Sequence, residues 1–322
     1  MPTNIPINVG RIEVAMNNGS HHMNCYKTDL NFFQGTKGDT ILYDKTQLGD
    51  TTGVVYHSMI FRHDGVVDTE VVPWQQSFYV TSVANNSQIL IEAQVPSLDW
   101  TLPTLPNDTT VDPSVRGKKS IVVLQPHQNM IIENHYVNAT VQSTPNGMGK
   151  VLINLYYATE ANTTSASMYF GKYTHLHIPA HTMDYTVPMV CQFPSSLTFP
   201  IYVLGMTGHF HSHGKTFFVD VVNLAHDSVG NPLLDSAGHQ IITVAQPKIY
   251  INATWSEPPF KSFDTPIKVN AGQTLRYTAI YDNPTDSVIN FGGHVLTQEH
   301  DNLFAWFVPG WFGGNTVYDN GP

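Results

Sequence analysis

Tyr202–Val222 reads YVLGMTGHFHSHGKTFFVDVV. Two runs rich in Val, Phe, Tyr and Leu flank a short centre that holds three histidines and Gly214. Branched and aromatic residues of this kind fit a pleated surface, and helical periodicity is hard to find in them. The stretch predicts two strands meeting at a connection near Gly214. On an extended chain residues two apart share a face, so His209 and His211 can offer their imidazoles to one ion. His213 would join them only if the strand persisted, and Gly214 argues that it does not.

The same texture recurs along the chain. Lys119–Leu124 (KSIVVL), Met130–Glu133, Lys150–Tyr157 (KVLINLYY) and Thr274–Tyr281 (TLRYTAIY) are short apolar runs punctuated by Gly, Pro, Asn and Asp. Many strands at this spacing predict an all-β protein of sandwiches or barrels. With 322 residues the chain is at the size where single cores tend to split. Between Leu155 and Ser167 a strand dissolves into a small polar run, which divides the chain into domains 1–165 and 166–322. The proline-bearing stretches Pro96–Gly117 and Glu257–Thr265 are expected to be surface loops, unable to hold central strands.

Charged residues make up 12% of the chain and hydrophobic ones 41%, which is ample for a core. The formal charge of -10 comes with no basic run, so nucleic acid is not an expected partner. No stretch approaches the roughly 18 consecutive apolar residues of a membrane span. Cys25 and Cys191 allow one bridge or two free thiols. Sequons at Asn18, Asn85, Asn107, Asn138, Asn162 and Asn252 would mark a secreted eukaryotic protein if used. Two of them crowd histidines His21 and His135, so the expectation is an exported protein, secreted or periplasmic, whose signal segment has been removed.

Histidine is the anomaly, at 16 residues against 15 lysines and arginines combined. Besides His209 and His211, the chain carries His21-His22-Met23, Glu133-Asn134-His135-Tyr136, Glu299-His300-Asp301-Asn302 and His175-Leu176-His177. Adjacent histidines such as His21 and His22 point to opposite faces of a regular strand, so joint ligation there needs a bulge. A lone histidine ending an apolar strand, as at His135, is more often a satisfied core residue than a ligand. His175 and His177 form a same-face pair as good as the first by spacing alone.

Taken together and in order, these segments resemble the type II copper, ascorbate-dependent monooxygenases, the family of peptidylglycine hydroxylating and dopamine β-monooxygenases. His21-His22-Met23 is similar to the family's His-His-Met. Glu133–Tyr136 is similar to its strand ending in His-Tyr. His209-Phe210-His211 is similar to its His-x-His strand, and Glu299–Phe304 to its Glu-Met-Cys-Asn-Leu-Tyr. The resemblance implies two tandem, jelly-roll-like antiparallel β-sandwiches and two copper ions. One copper, for electron transfer, would be held by His21, His22 and His135. The other, which binds oxygen, would be held by His209, His211 and His300. It implies hydroxylation of a C–H bond of a small organic substrate by O2, with ascorbate or another one-electron reductant as co-substrate.

The departures carry as much information. His300 stands where the family places a methionine thioether; imidazole is less selective for Cu(I) than a soft sulfur, so redox balance should differ. Thr207 and Phe304 occupy positions where the peptide-amidating members use Arg and Tyr to hold a carboxylate, and Asn302 alone is retained. Without a cation a buried carboxylate is poorly compensated, which argues against a glycine-extended peptide as substrate. A non-catalytic copper-binding protein is the competing expectation. A cupin-type site is disfavoured because Ser212–Phe218 contains no carboxylate, and a blue-copper site because neither cysteine lies in a His/Met frame.

Overall fold

A computed structural model describes residues 5–17, 20–28, 87–126, 129–136, 150–191, 193, 199–236, 238, 240–292, 295–310 and 317–319. These residues form strands β1 to β19 and no helix, as the β-rich runs predict. The predicted run Lys119–Leu124 is β5 end for end, and Tyr202–Val222 splits into β12 (Ile201–His209) and β13 (Gly214–Leu224). Gly214 does begin a new strand: a Cβ there would overlap the ring of Phe210.

Four sheets of three or more strands organise the chain. Near the N-terminus, β2 (Ser20–Thr28) lies between β3 (Ser87–Ala93) and β6 (Asn129–Tyr136). A second sheet centres on β1 (Ile7–Met16), which pairs with β4 (Ser97–Thr101), β5 and β7 (Val151–Tyr157), while β8 (Thr163–Ser165) extends β5 in parallel. The third runs β15-β12-β18-β9-β19, with β15 at Lys261–Val269, β18 at Asn302–Val308, β9 at Ser167–Lys172 and β19 at Val317–Asp319. The fourth runs β11-β16-β13-β14, with β11 at Thr182–Val190, β16 at Gln273–Asn283 and β14 at Ile242–Asn252.

Alternation along β12, β18 and β9 explains how these sheets stack. Leu303, Ala305 and Phe307 face a core shared with the β11-β16-β13-β14 sheet, closing a β-sandwich. Phe304, Trp306 and Val308, with Tyr202, Leu204 and Met168, face the opposite way into a core filled by β1 to β5. The sheet carrying the His-x-His pair is therefore covered on both sides, and β12 and β18 are buried at every position. That is why β18 after Asn302 reads as an unbroken apolar run, LFAWFV, rather than an alternating one. The Trp306 ring meets Trp100 and Phe260 edge-on at centroid distances of 5.5 and 5.4 Å, and its Nε1 donates to Leu90 O at 3.1 Å. One side chain thus fastens the N-terminal strands to the third sheet.

The two proline-bearing stretches differ from expectation. Ser97–Thr101 inside Pro96–Gly117 is a strand at one end of its sheet, and Leu102, Leu105, Val111 and Val115 are buried in the first core. Lys261–Val269 likewise begins inside Glu257–Thr265 and forms an edge strand. Prolines bar a central strand but leave an edge open, and apolar side chains between them still reach the core.

Candidate metal centre

His209 closes β12, and His211 follows on the same face, while Phe210 points oppositely into the sandwich core. A Cβ at Gly208 would overlap the ring of Phe217, so the strand lies flat against that core just before the histidines. His300 enters from the segment that leads into β18. The ligand atoms of His209, His211 and His300 all lie within 4.8 Å of one another. Ring centroids are 5.1 Å apart for His209–His211 and His209–His300, and 4.3 Å for His211–His300. The His300 ring also meets Phe291, at a centroid distance of 4.8 Å.

Backbone and side-chain hydrogen bonds hold this group. His211 Nδ1 lies 3.0 Å from Gln298 O; a carbonyl only accepts, so the imidazole carries its proton on Nδ1 and presents Nε2. Glu299 ties the ligand segments together, accepting from His211 N at 2.7 Å, His213 N at 2.6 Å and His300 N at 3.3 Å. Burial pushes its carboxyl up to about 8, against the opposing pull of those backbone donors. Asp301, fully buried, is raised well above the usual range by desolvation and by the charge of Glu299. Tyr281 Oη donates to His300 O at 2.7 Å. His213 is not one of the three convergent ligands, and burial lowers its pKa.

Three imidazoles at this separation suit a transition metal. Two nitrogens on one ion at about 2.0–2.1 Å cannot be more than about 4.2 Å apart, and in a tetrahedral site they are about 3.4 Å apart, so binding draws the most widely separated rings inward by at least about half an ångström. The all-nitrogen set with no carboxylate favours Cu, Zn, Ni or Fe over Mg or Ca.

Around this centre the remaining predicted residues are placed as follows. The register of β2 against β6 shifts between Ser20 and His22, so the irregular backbone that adjacent histidines require is present. His22 and His135 are Cα partners across the two strands, but the side chains of His21 and His135 lie outside the described residues. The His22 ring meets His209 edge-on at 4.8 Å, next to the three-histidine group and not at a distance from it. Thr207, Asn302 and Phe304 share the face of His209: Asn302 is the Cα partner of His209, and Phe304 that of Thr207. All three are buried, and Phe304 stacks on Phe170 at 4.5 Å. The second same-face pair, His175 and His177, stays outside the centre; His177 is exposed and pairs its Nδ1 with Asn290 Oδ1 at 3.2 Å.

No protein-family model matches the chain, and no curated protein matches it. Among solved structures it aligns with the infectious bursal disease virus VP2 subviral particle at TM-score 0.20 and 9% identity, over 98% of this chain and 60% of that one. It aligns with the T13 IBDV viral particle at TM-score 0.22 and 10% identity, over 94% and 56%. The chain thus spans about three fifths of those chains. Likeness of that order fixes neither fold nor function.

Residue types alone did not reveal Gln94. It follows β3 directly, is buried, and lies 2.6 Å from His209 Nδ1 through its Oε1. Glu92, two residues earlier, is also buried, and desolvation raises its carboxyl well above the usual range. Neither residue belongs to a motif, and only the packing of the N-terminal strands onto β12 brings Gln94 to the histidine. Glu299 carries a local signal, a carboxylate set directly beside His300 in the segment that leads into β18.

Proposed function

We propose that His209, His211 and His300 bind one copper ion, and that the protein hydroxylates a C–H bond of a small organic substrate with O2 and an external one-electron reductant such as ascorbate. The observation that carries this is the convergence of three buried or half-buried imidazoles, from two separate segments, with their ligand atoms within 4.8 Å. Imidazole donors rank copper(II) highest among the divalent first-row metals, and the order of the histidine motifs supports the same metal.

When bound, copper supplies one-electron chemistry and a site for dioxygen. The chain itself supplies orientation and exclusion of water. Glu299 fixes the backbone on both sides of the ligand set, Gln298 O sets the His211 tautomer, and the two cores enclose the sheet beneath. Thr207, Asn302 and Phe304, on the face of His209, form the proposed substrate side, whose neutral character fits an uncharged molecule better than a peptide carboxylate. His22, beside His209, belongs to the proposed second copper site with His21 and His135.

A second reading, a copper-binding protein without turnover, is favoured by the burial of Thr207, Asn302 and Phe304. Copper titration followed by electron paramagnetic resonance, with ascorbate-driven oxygen uptake measured alongside, separates the two. Nitrogen-ligated copper and oxygen uptake, both abolished in His209→Ala, support the enzyme. Copper binding without uptake across varied substrates overturns the enzyme and leaves the binder. Copper binding that His209→Ala leaves intact overturns the site.

A further inference from the structure

We propose that Gln94 is a positioning residue of the metal centre, through which the β3-β2-β6 sheet sets the tautomer and orientation of His209. The inference rests on the metal-binding reading above. Its starting point is that the Gln94 amide grips three consecutive residues of β12. Nε2 donates to Thr207 Oγ1 and to Gly208 O, each at 3.1 Å, and Oε1 lies 2.6 Å from His209 Nδ1.

The two ends of an amide look alike in shape, so chemistry must decide which faces the histidine. Gly208 O is a carbonyl and can only accept, so the nitrogen of the amide belongs beside it. The oxygen then faces His209, and an acceptor at that position requires the proton on Nδ1. His209 is thereby held as the Nδ1–H tautomer, with the Nε2 lone pair directed to the group it shares with His211 and His300. Thr207 and Gly208 fix the amide, the amide fixes the imidazole, and the whole chain of contacts is buried.

The support for Gln94 comes from the N-terminal strands. Ala93, its neighbour, pairs with Met23 of β2, and Leu90 on the same strand receives the indole of Trp306. The His22 ring, one residue before Met23, presses edge-on against His209. Two side chains of one small sheet therefore hold a single ligand imidazole of another, one through Nδ1 and one against its ring. Metal affinity at the centre should report how that sheet is docked.

Partners of this kind typically alter metal affinity by about 10–100-fold when removed. Long-range proton–nitrogen NMR on isotope-labelled histidine, in the metal-free protein and with His209 assigned by its Ala variant, reads the tautomer directly. The expected result is Nδ1–H for His209 in the wild type and a shift towards Nε2–H in Gln94→Leu, with Co(II) and Cu(II) affinity lower by about 10–100-fold. Gln94→Met, close in shape and lacking the acceptor, should shift the tautomer and lower the affinity in the same direction, and it serves if Gln94→Leu fails to fold. An Nε2–H wild type overturns the proposal, and so does Gln94→Leu with affinity within about twofold of wild type. A wild type that binds neither metal overturns the function proposed above, whereas metal binding that ignores Gln94 overturns only this role.

Discussion

β12 and β2 both bring histidines to the same place, but from different supports. β12 lies in a sheet covered on both faces, and its ligand pair continues into a turn gripped by Glu299 and closed by Gly214. β2 lies in a three-stranded sheet and delivers His22 at a point where its pairing with β6 loses register. Proximity alone would make His22 the equal of His300, since each ring lies about 5 Å from His209. The difference is in anchoring: the ligand atoms of His209, His211 and His300 fall within one 4.8 Å group, and His22 leans on that group from outside. A metal centre is made by convergent lone pairs and not by neighbouring rings.

The largest expected effect comes from parting the two supports. Trp306→Ala removes the side chain that β18 inserts between Trp100 and Phe260 and the hydrogen bond to Leu90 O. Truncating a buried tryptophan should cost about 3–5 kcal/mol, seen as a lower urea midpoint. Because Leu90 belongs to β3, metal affinity should fall as well. Full affinity in a destabilised Trp306→Ala would break the link between the sheets.

Next in size is the contrast between the histidines themselves. His211→Ala should lower copper affinity by more than about 100-fold, since removing a ligand exceeds the loss of an outer partner. His22→Ala should lower the affinity of the three-histidine centre by less than about tenfold, because for that centre it removes a neighbour of His209 and not a ligand. Isothermal titration of both variants at one metal equivalent measures the ratio. Equal losses would place His22 among the ligands and erase the distinction drawn above.

How much of this could be read from the chain is shown by two identical patterns. His209-Phe210-His211 and His175-Leu176-His177 have the same spacing, and both alternate correctly for an extended chain. The first sits at the end of a strand buried at every position; the second leads into the two-residue strand His177–Ile178 with His177 exposed. Spacing shows that two imidazoles can share a face, but not what that face meets. Strand identity was legible because it depends on residues next to one another, as in KSIVVL. Gln94 was not, because it reaches His209 across 115 residues and makes sense only after two sheets have packed. The buried leucines and valines of Pro96–Gly117 are hidden for the opposite reason: prolines announce a loop, and nothing local shows that the apolar side chains between them turn into the core.

The smallest expected effect is kinetic and tests whether the β2 support loosens before the β12 support. Cys25 on β2 and Cys191 after β11 are both buried, one in each core. Desolvation pushes the Cys25 thiol up to about 12, and that of Cys191 upward too. At pH 8 a thiol at about 12 is only about one part in ten thousand thiolate, so a folded molecule should react negligibly with a thiol reagent. Labelling therefore reports opening, of the three-stranded sheet at Cys25 and of the core between the third and fourth sheets at Cys191, and the smaller sheet should open more readily. Cys25 should be modified before Cys191 in the metal-free protein, as followed by mass spectrometry of the peptides. Copper, by holding His209 and through it Gln94 and His22, should slow Cys25 more than Cys191. If both thiols label together with and without copper, the protein opens as one unit, and the two supports differ in geometry but not in stability.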